Sequence, residues 1–188
     1  MVDVSGLKAT GKRKPYIAHF VIRTAKYQES VAWYRVVFEA KVVFANDMVT
    51  FLTFDDEHHR IAIGTLPELE PHSAKSSGVD HIAFSFGLPE LVSTYDRLKA
   101  EGILPYWSIN HGPTTSLYYH DPDGVQIELQ TDNIAFPGGA SAFFHSEDFS
   151  LNPIGVEFDA EAWSARFHAG EDADSLLQRP RGEPAKIG

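Results

Sequence analysis

Residues 109–128, which read INHGPTTSLYYHDPDGVQIE, decide the fold that this sequence predicts. They predict two strands joined by the turn DPDG, since Asp, Pro and Gly are the usual turn residues. The second strand, VQIELQ at 125–130, carries one acid, Glu128, among apolar residues. A buried carboxylate is costly unless it is paired or bound to a metal. Partners for Glu128 must therefore come from elsewhere in the chain.

Composition limits the partners and the chemistry. The chain has 188 residues, 16 basic and 26 acidic, so its net charge is −10. This acidity argues against a nucleic acid or an anionic membrane as partner. There are no cysteines, which excludes disulfides and zinc–thiolate sites, whereas nine histidines favour metal or acid–base chemistry. No apolar run has the length of a signal peptide or a membrane span, so we expect a soluble, cytoplasmic protein.

The chain contains an internal repeat of strand, helix and three strands. In the first copy the predicted elements are strand 16–23, helix 24–40 and strands 41–45, 48–54 and 59–64. In the second copy they are strand 79–86, helix 88–102 and strands 104–109, 115–120 and 125–130. Neither copy is large enough to close a core alone. The sequence therefore predicts an α+β fold in which two βαβββ modules, 15–65 and 78–131, pair around a shared cleft.

Three segments lie outside the modules. Residues 1–14 are polar and basic and predict a flexible arm. Residues 65–78 are rich in Pro, Ser and Gly and predict a linker between the modules. Residues 132–188 form a C-terminal extension in which only 159–170 has a helical pattern. We expect this extension to pack across the repeat or against a partner subunit.

Two histidines lie at equivalent positions of the repeat. His19 and His81 both fall in the opening strand of a module, flanked by apolar residues. Any one histidine or acid could be a core residue or half of an ion pair. His19, His81 and Glu128 together provide two imidazoles and one carboxylate, which leave coordination positions open on a metal such as Fe(II). The first-module counterpart of Glu128 is Ala62, or at worst a neighbouring isoleucine, so no fourth ligand is expected there.

The stretch 109–128 also resembles the signature of the type I extradiol ring-cleavage dioxygenases of the vicinal oxygen chelate superfamily. That signature is a histidine, a short spacer, an apolar residue and tyrosine, then an acidic residue, proline, glycine and glutamate. The matching residues here are His111, Leu117, Tyr118, Asp121, Pro122, Gly124 and Glu128. The resemblance extends over residues 15–131 and implies the vicinal oxygen chelate fold.

The resemblance implies a role for each of these residues. His19, His81 and Glu128 would hold Fe(II), or Mn(II) as in some members. Tyr118 would hydrogen-bond a substrate oxygen on the metal, and His111 would line the pocket and contact the substrate. The family's catalytic acid–base histidine is the second of a pair before an apolar strand.

In this chain that pair lies in EHHRIAI, which points to His59. His58 stays an alternative, because neighbouring strand residues face opposite sides. Trp107 is a candidate for stacking on an aromatic substrate. His120 could face either the pocket or water.

The implied reaction is the insertion of both atoms of O2 into a small aromatic diol with cleavage of the ring. The larger family members carry a second pair of modules, so this chain resembles the small branch, for which we expect a homo-oligomer. Two alternatives stay open. A glyoxalase-like isomerase or lyase usually has four protein ligands, and a non-catalytic binding protein of this fold lacks the metal ligands altogether.

Overall fold

The computed structural model describes residues 15–73, 75–133 and 139–186, so the predicted arm 1–14 lies outside the described residues. The first module contains β1 (Phe20–Arg23), α1 (Tyr27–Phe38), β2 (Lys41–Ala45), β3 (Val49–Thr53) and β4 (Ile61–Gly64). The second contains β5 (His81–Ser85), α2 (Leu88–Ala100), β6 (Trp107–Asn110), β7 (Thr114–His120) and β8 (Gln126–Asp132). The extension adds α3 (Gly139–Phe143), α4 (Glu147–Leu151), β9 (Val156–Glu157), α5 (Ala160–His168) and α6 (Ala173–Leu177). None of the helices in these ranges has the length and apolarity that crossing a bilayer requires.

Each module forms one mixed sheet. The strand order is β1-β4-β3-β2 in the first sheet and β5-β8-β7-β6-β9 in the second. In both, the opening strand runs parallel to the last strand of its module, and the remaining pairs are antiparallel. The predicted α+β class and the βαβββ repeat are therefore confirmed. The pairing of β9 with β6 had no signal in the sequence.

One hydrophobic core joins both modules and the extension. Tyr34 and Leu91 represent the buried faces of α1 and α2, and Trp163 of the extension packs against the same cluster. The modules meet through aromatic rings, since the ring of Phe84 lies 4.3 Å from that of Phe38 and 5.7 Å from that of Phe20. Such edge and tilted ring contacts contribute beyond the area that they bury.

Strand β1 begins at Phe20, four residues later than the sequence predicts. The preceding backbone is held by a side chain instead of by a neighbouring strand. The guanidinium of Arg60 donates to the carbonyl oxygens of Ile17 at 2.7 Å and Ala18 at 3.1 Å. His19 therefore lies just before the first strand rather than within it.

The DPDG turn connects the two modules. One oxygen of Asp121 accepts hydrogen bonds from the backbone N–H of Asp123 at 2.9 Å and of Val125 at 2.8 Å. The other accepts from the hydroxyl of Tyr34 in α1 at 3.1 Å. Asp121 is buried, and this burial raises its pKa, while the hydrogen bonds from Val125, Tyr34 and Asp123 act to lower it. The turn that closes the β7–β8 hairpin is thus also hydrogen-bonded to helix α1 of the first module.

We expect Tyr34→Phe to lower the free energy of unfolding by about 1–3 kcal/mol, because a buried carboxylate loses a donor. Chemical denaturation at neutral pH measures this loss. The matched control is Tyr16→Phe, whose ring is 75% exposed and whose change should stay within about 0.5 kcal/mol. Equal losses in the two variants would contradict the role of the Tyr34 hydroxyl.

Candidate functional site

Glu128 finds its predicted partner in His81. Ala83 of β5 lies opposite Glu128 of β8, and His81, two residues before Ala83, projects from the same face. His81 Nε2 is 2.9 Å from Glu128 Oε2. Glu128 is only 4% exposed, whereas the His81 side chain is 33% exposed. A buried carboxylate thus faces an accessible imidazole.

The second nitrogen of His81 is also engaged. Its Nδ1 lies 2.8 Å from the carboxylate of Asp80. Metal-binding histidines typically give one ring nitrogen to a carboxylate or carbonyl and present the other to the metal. In the structure Nδ1 of His81 thus contacts Asp80 while Nε2 is directed at Glu128.

Tyr118 and His111 lie beside this pair. Tyr118 is opposite Glu128 in the β7–β8 ladder, and its hydroxyl is 3.1 Å from Nε2 of His111. Burial, followed by the negative charge of Glu128, raises the pKa of the Tyr118 phenol. Tyr118 therefore stays protonated and can donate a hydrogen bond. Tyr118 and His111 were both predicted to be site residues, and the structure brings their side chains into contact.

Aromatic side chains extend the same surface. The ring of Trp107 is 5.0 Å from that of Tyr118, and its indole N–H donates to Glu157 at 2.8 Å. His120 is exposed and stacks on Tyr106, with ring centroids 3.9 Å apart. Burial, with smaller contributions from Asp80 and Glu128, raises the pKa of Tyr106 to about 12. Trp107 thus lies at the predicted site, and His120 stands at its outer rim.

His19 and His59 form a second group, on the first sheet. Their ring centroids are 4.4 Å apart, and the ring of His59 stacks on Phe51 at 4.8 Å. Burial, followed by the neighbouring His19 and His58, lowers the pKa of His59. The His58 side chain is 69% exposed, although its Nδ1 is 2.6 Å from that of His59. Of the two candidates, His59 is therefore the one beside His19.

The structure brings two of the three predicted metal ligands into contact. Within 15–73, 75–133 and 139–186, no three His, Asp or Glu side chains form a group that could hold a metal ion. His81 and Glu128 meet on the second sheet, and His19 stays on the first. His19 does line a cavity of about 540 Å³ that Ala83 and Ser85 of β5 also line. Imidazole and carboxylate are suitable donors for Fe(II) or Mn(II), but the pair alone is not a complete ligand set.

The strand register shows which residue of the first module is the counterpart of Glu128. In the first module Val21, two residues after His19, lies opposite Ala62. This repeats the pairing of Ala83, two residues after His81, with Glu128. Ala62 is therefore the equivalent residue, as predicted, and it offers no ligand atom.

The extension contributes two contacts that sequence reasoning missed. The carbonyl oxygen of Ile154 lies 2.5 Å from Nδ1 of His111, and Glu157 accepts the hydrogen bond from Trp107. Asn152, Pro153 and Gly155 form a turn-like pattern in the sequence. That pattern could have marked a loop there, but nothing in it identifies the partner of the loop.

Comparison with known proteins identifies a family that covers both modules. The model of the Glyoxalase/Bleomycin resistance protein/Dioxygenase superfamily matches residues 16–129. The chain is 40% identical over 164 residues to biphenyl-2,3-diol 1,2-dioxygenase 2 of Rhodococcus globerulus, covering 86% of both chains. It is also 40% identical over 171 residues to biphenyl-2,3-diol 1,2-dioxygenase 3 of the same organism, covering 88% of both.

Solved structures share the fold at lower identity. A glyoxylase/bleomycin resistance protein/dioxygenase domain from Frankia sp. EAN1pec has a TM-score of 0.55 and 16% identity, covering 66% of this chain and 96% of the domain. Lactoylglutathione lyase from Agrobacterium tumefaciens has a TM-score of 0.53 and 18% identity, covering 64% and 96%. At these identities the likeness shows the fold alone. The extension lies outside the family match, which ends at residue 129.

Proposed function

Because the chain belongs to the glyoxalase/bleomycin resistance protein/dioxygenase superfamily, we propose that it is a metal-dependent extradiol dioxygenase. It would insert both atoms of O2 into a small aromatic diol and cleave the ring. The observation that carries the proposal is the contact between His81 and Glu128 beside Tyr118, within a chain closely similar to two diol dioxygenases. Glu128 and Tyr118 of this group also belong to the signature in the sequence.

We propose His19, His81 and Glu128 as the metal ligands and Fe(II) as the metal, with Mn(II) as the alternative. When bound, such an ion would hold the diol and dioxygen side by side and let charge pass from the ring to oxygen. The contact between His81 and Glu128 supports two of the three positions. His19 would join them from the first sheet, across the cavity that it lines together with β5.

Side chains of the second sheet would bind and orient the diol. Tyr118, kept protonated by its surroundings, would donate to a substrate oxygen. His111 would contact a substrate hydroxyl, since its Nε2 lies 3.1 Å from the Tyr118 hydroxyl that would donate to the diol. Trp107 and the stacked pair of Tyr106 and His120 would form the wall along an aromatic ring. Side chains held in place in this way favour one reacting geometry.

His59 would move the proton. A neutral imidazole accepts a proton readily near neutral pH and returns it later, as ring cleavage of a diol requires. His59 lies beside His19 and is partly shielded by Phe51, whereas His58 faces solvent. The two histidines thus differ in the way that a catalytic residue and its exposed neighbour should.

The alternatives have less support. Ala62 stands where a fourth protein ligand would be needed for a glyoxalase-like isomerase, and the likeness to lactoylglutathione lyase shows the fold alone. A non-catalytic binding protein would have no use for a buried acid facing a histidine.

The proposed function is tested by loading the full chain with Fe(II) under anaerobic conditions and adding 2,3-dihydroxybiphenyl and air. We expect oxygen uptake and a yellow ring-cleavage product. Glu128→Gln should lose both the activity and stoichiometric iron, because an amide is a far weaker ligand than a carboxylate. Glu157→Gln, a change of the same kind at the edge of the site, should keep its iron. Iron binding by Glu128→Gln at the wild-type ratio would remove Glu128 from the ligand set.

We expect His59→Ala to reduce kcat by about 10²–10⁴-fold with iron content unchanged, which is the usual loss of a general acid–base residue. His58→Ala is the matched control and should keep at least half of the wild-type kcat. Steady-state oxygen uptake and metal analysis measure the two quantities. The assignment fails if His58→Ala is the slower variant, or if His59→Ala turns over at the wild-type rate.

We further propose that the protein is a homo-oligomer. Strand β2 is exposed along its whole length, and Val42, Val43 and Phe44 are 44–53% exposed. Exposed apolar residues that adjoin one another are typical of association surfaces. Light scattering should give a mass at least twice that of the chain, and Phe44→Ser should shift the protein toward monomer, whereas Leu151→Ser should not. A monomeric wild-type protein at micromolar concentration would contradict this.

A further inference from the structure

The C-terminal extension contacts His111 of the candidate site through one backbone atom. The carbonyl oxygen of Ile154 lies 2.5 Å from Nδ1 of His111, and the other ring nitrogen, Nε2, lies 3.1 Å from the Tyr118 hydroxyl. We propose that this carbonyl fixes the tautomer of His111, so that the extension is a positioning device for the site. The inference rests on the proposed function, and it concerns a segment outside the family match.

The tautomer follows from the chemistry of the two partners. A backbone carbonyl can only accept a hydrogen bond, so Nδ1 of His111 must carry the proton. In the neutral ring Nε2 is then bare and can only accept. In its contact with His111 the Tyr118 hydroxyl is therefore the donor. Tyr118 has a single proton and also lies beside Glu128, so it can serve one of these acceptors at a time.

This arrangement assigns a specific role to His111 in the diol complex. Its bare Nε2 would accept the hydrogen bond of a substrate hydroxyl, and it could not donate one to a substrate oxygen. Tyr118 would supply the donor. The site would then present one acceptor and one donor side by side, which matches a diol with one hydroxyl still protonated. The opposite tautomer of His111 would present two donors and favour a fully deprotonated diol.

The loop that carries Ile154 is held rigidly. The Asn152 side chain is buried, accepts from the backbone N–H of Gly155 at 2.8 Å and of Ile154 at 3.2 Å, and donates to the Gly155 carbonyl at 2.9 Å. Arg179, near the end of the extension, donates to the Asn152 carbonyl at 3.1 Å. These hydrogen bonds hold the loop before and after the Ile154 carbonyl. A carbonyl held in place can select one tautomer of the ring that it faces.

Gly155 allows the close approach. Its φ is +123°, and a Cβ there would lie 2.5 Å from the Asn110 carbonyl oxygen and 2.9 Å from Cα of His111. Any side chain would therefore push the loop away from His111. Gly170, also in the extension, has a φ of +83° but nothing within 4 Å of a Cβ position. Substitution by alanine strains the backbone at both glycines, because both have a positive φ. Only at Gly155 would the added Cβ also collide with the site.

The test compares Gly155→Ala with Gly170→Ala in the full chain. Selective ¹⁵N-histidine spectra, with diamagnetic Zn²⁺ added and the His111 signals assigned from His111→Gln, report the protonated nitrogen. We expect wild type and Gly170→Ala to carry the proton on Nδ1, and Gly155→Ala to show a mixture of tautomers. For the iron-loaded enzyme we expect Gly155→Ala to lose about 10–100-fold in kcat/KM, the cost of a small misplacement. Gly170→Ala should stay near wild type.

Should Gly155→Ala fail to fold, Asn152→Ala loosens the same loop without a clash and gives the same comparison. A wild-type spectrum with the proton on Nε2, or with both nitrogens protonated, would overturn the inference. So would an unchanged Nδ1–H spectrum in a folded Gly155→Ala or Asn152→Ala. Failure of the proposed function is distinguishable, because the spectra do not depend on turnover. A chain inactive on every diol that still shows Nδ1–H in wild type and its loss in Gly155→Ala would refute the activity and retain the positioning role.

Discussion

The parallel pairing of the first and last strands within each module is the constraint on which the site depends. Side chains alternate along a strand, so a register once set decides which residues share a face. In the second module this register brings His81 to Glu128. In the first module the same register places Val21 of β1 opposite Ala62. The same strand pairing in the two modules therefore places a carboxylate beside the opening strand of the second module and an alanine beside that of the first.

Contacts between the modules then hold the two sheets against each other. Asp121 closes the hairpin that carries Tyr118 and Glu128, and it also accepts a hydrogen bond from Tyr34 in the helix of the first module. The ring of Phe84, on the opposite face of β5 from His81, packs between Phe20 and Phe38 of the first module. The faces that carry the candidate site residues and the faces that make apolar contacts thus belong to the same few strands.

Much of this could be predicted from the sequence because it follows from short-range patterns. The repeat and the equivalence of Ala62 and Glu128 depend on strand alternation. Tyr118 and His111 were identified through the resemblance to a family signature, and the hairpin brings their side chains into contact. The placement of His19 depends on the packing of one module against the other and on Arg60 holding the chain before β1. No periodicity encodes such contacts.

Two further features were outside the reach of sequence reasoning for different reasons. Alternation alone allows either His58 or His59 to face inward, and only the structure shows that His59 stacks on Phe51 while His58 is exposed. The contribution of Ile154 comes from its backbone, which is the same in every residue, so its side chain gave no signal. The shape of the loop gave it this role.

The two residues of β9 have a consequence for the solubility of the protein. Glu157 and Val156 pair with Ile109 and Asn110, and so cover the outer edge of β6. An uncovered strand edge offers free N–H and C=O groups to any other chain and is a common starting point for aggregation. Without the extension, the sheet that bears the candidate site would have such an edge next to His111. The same segment that contacts the candidate site thus also protects the sheet from non-specific strand addition.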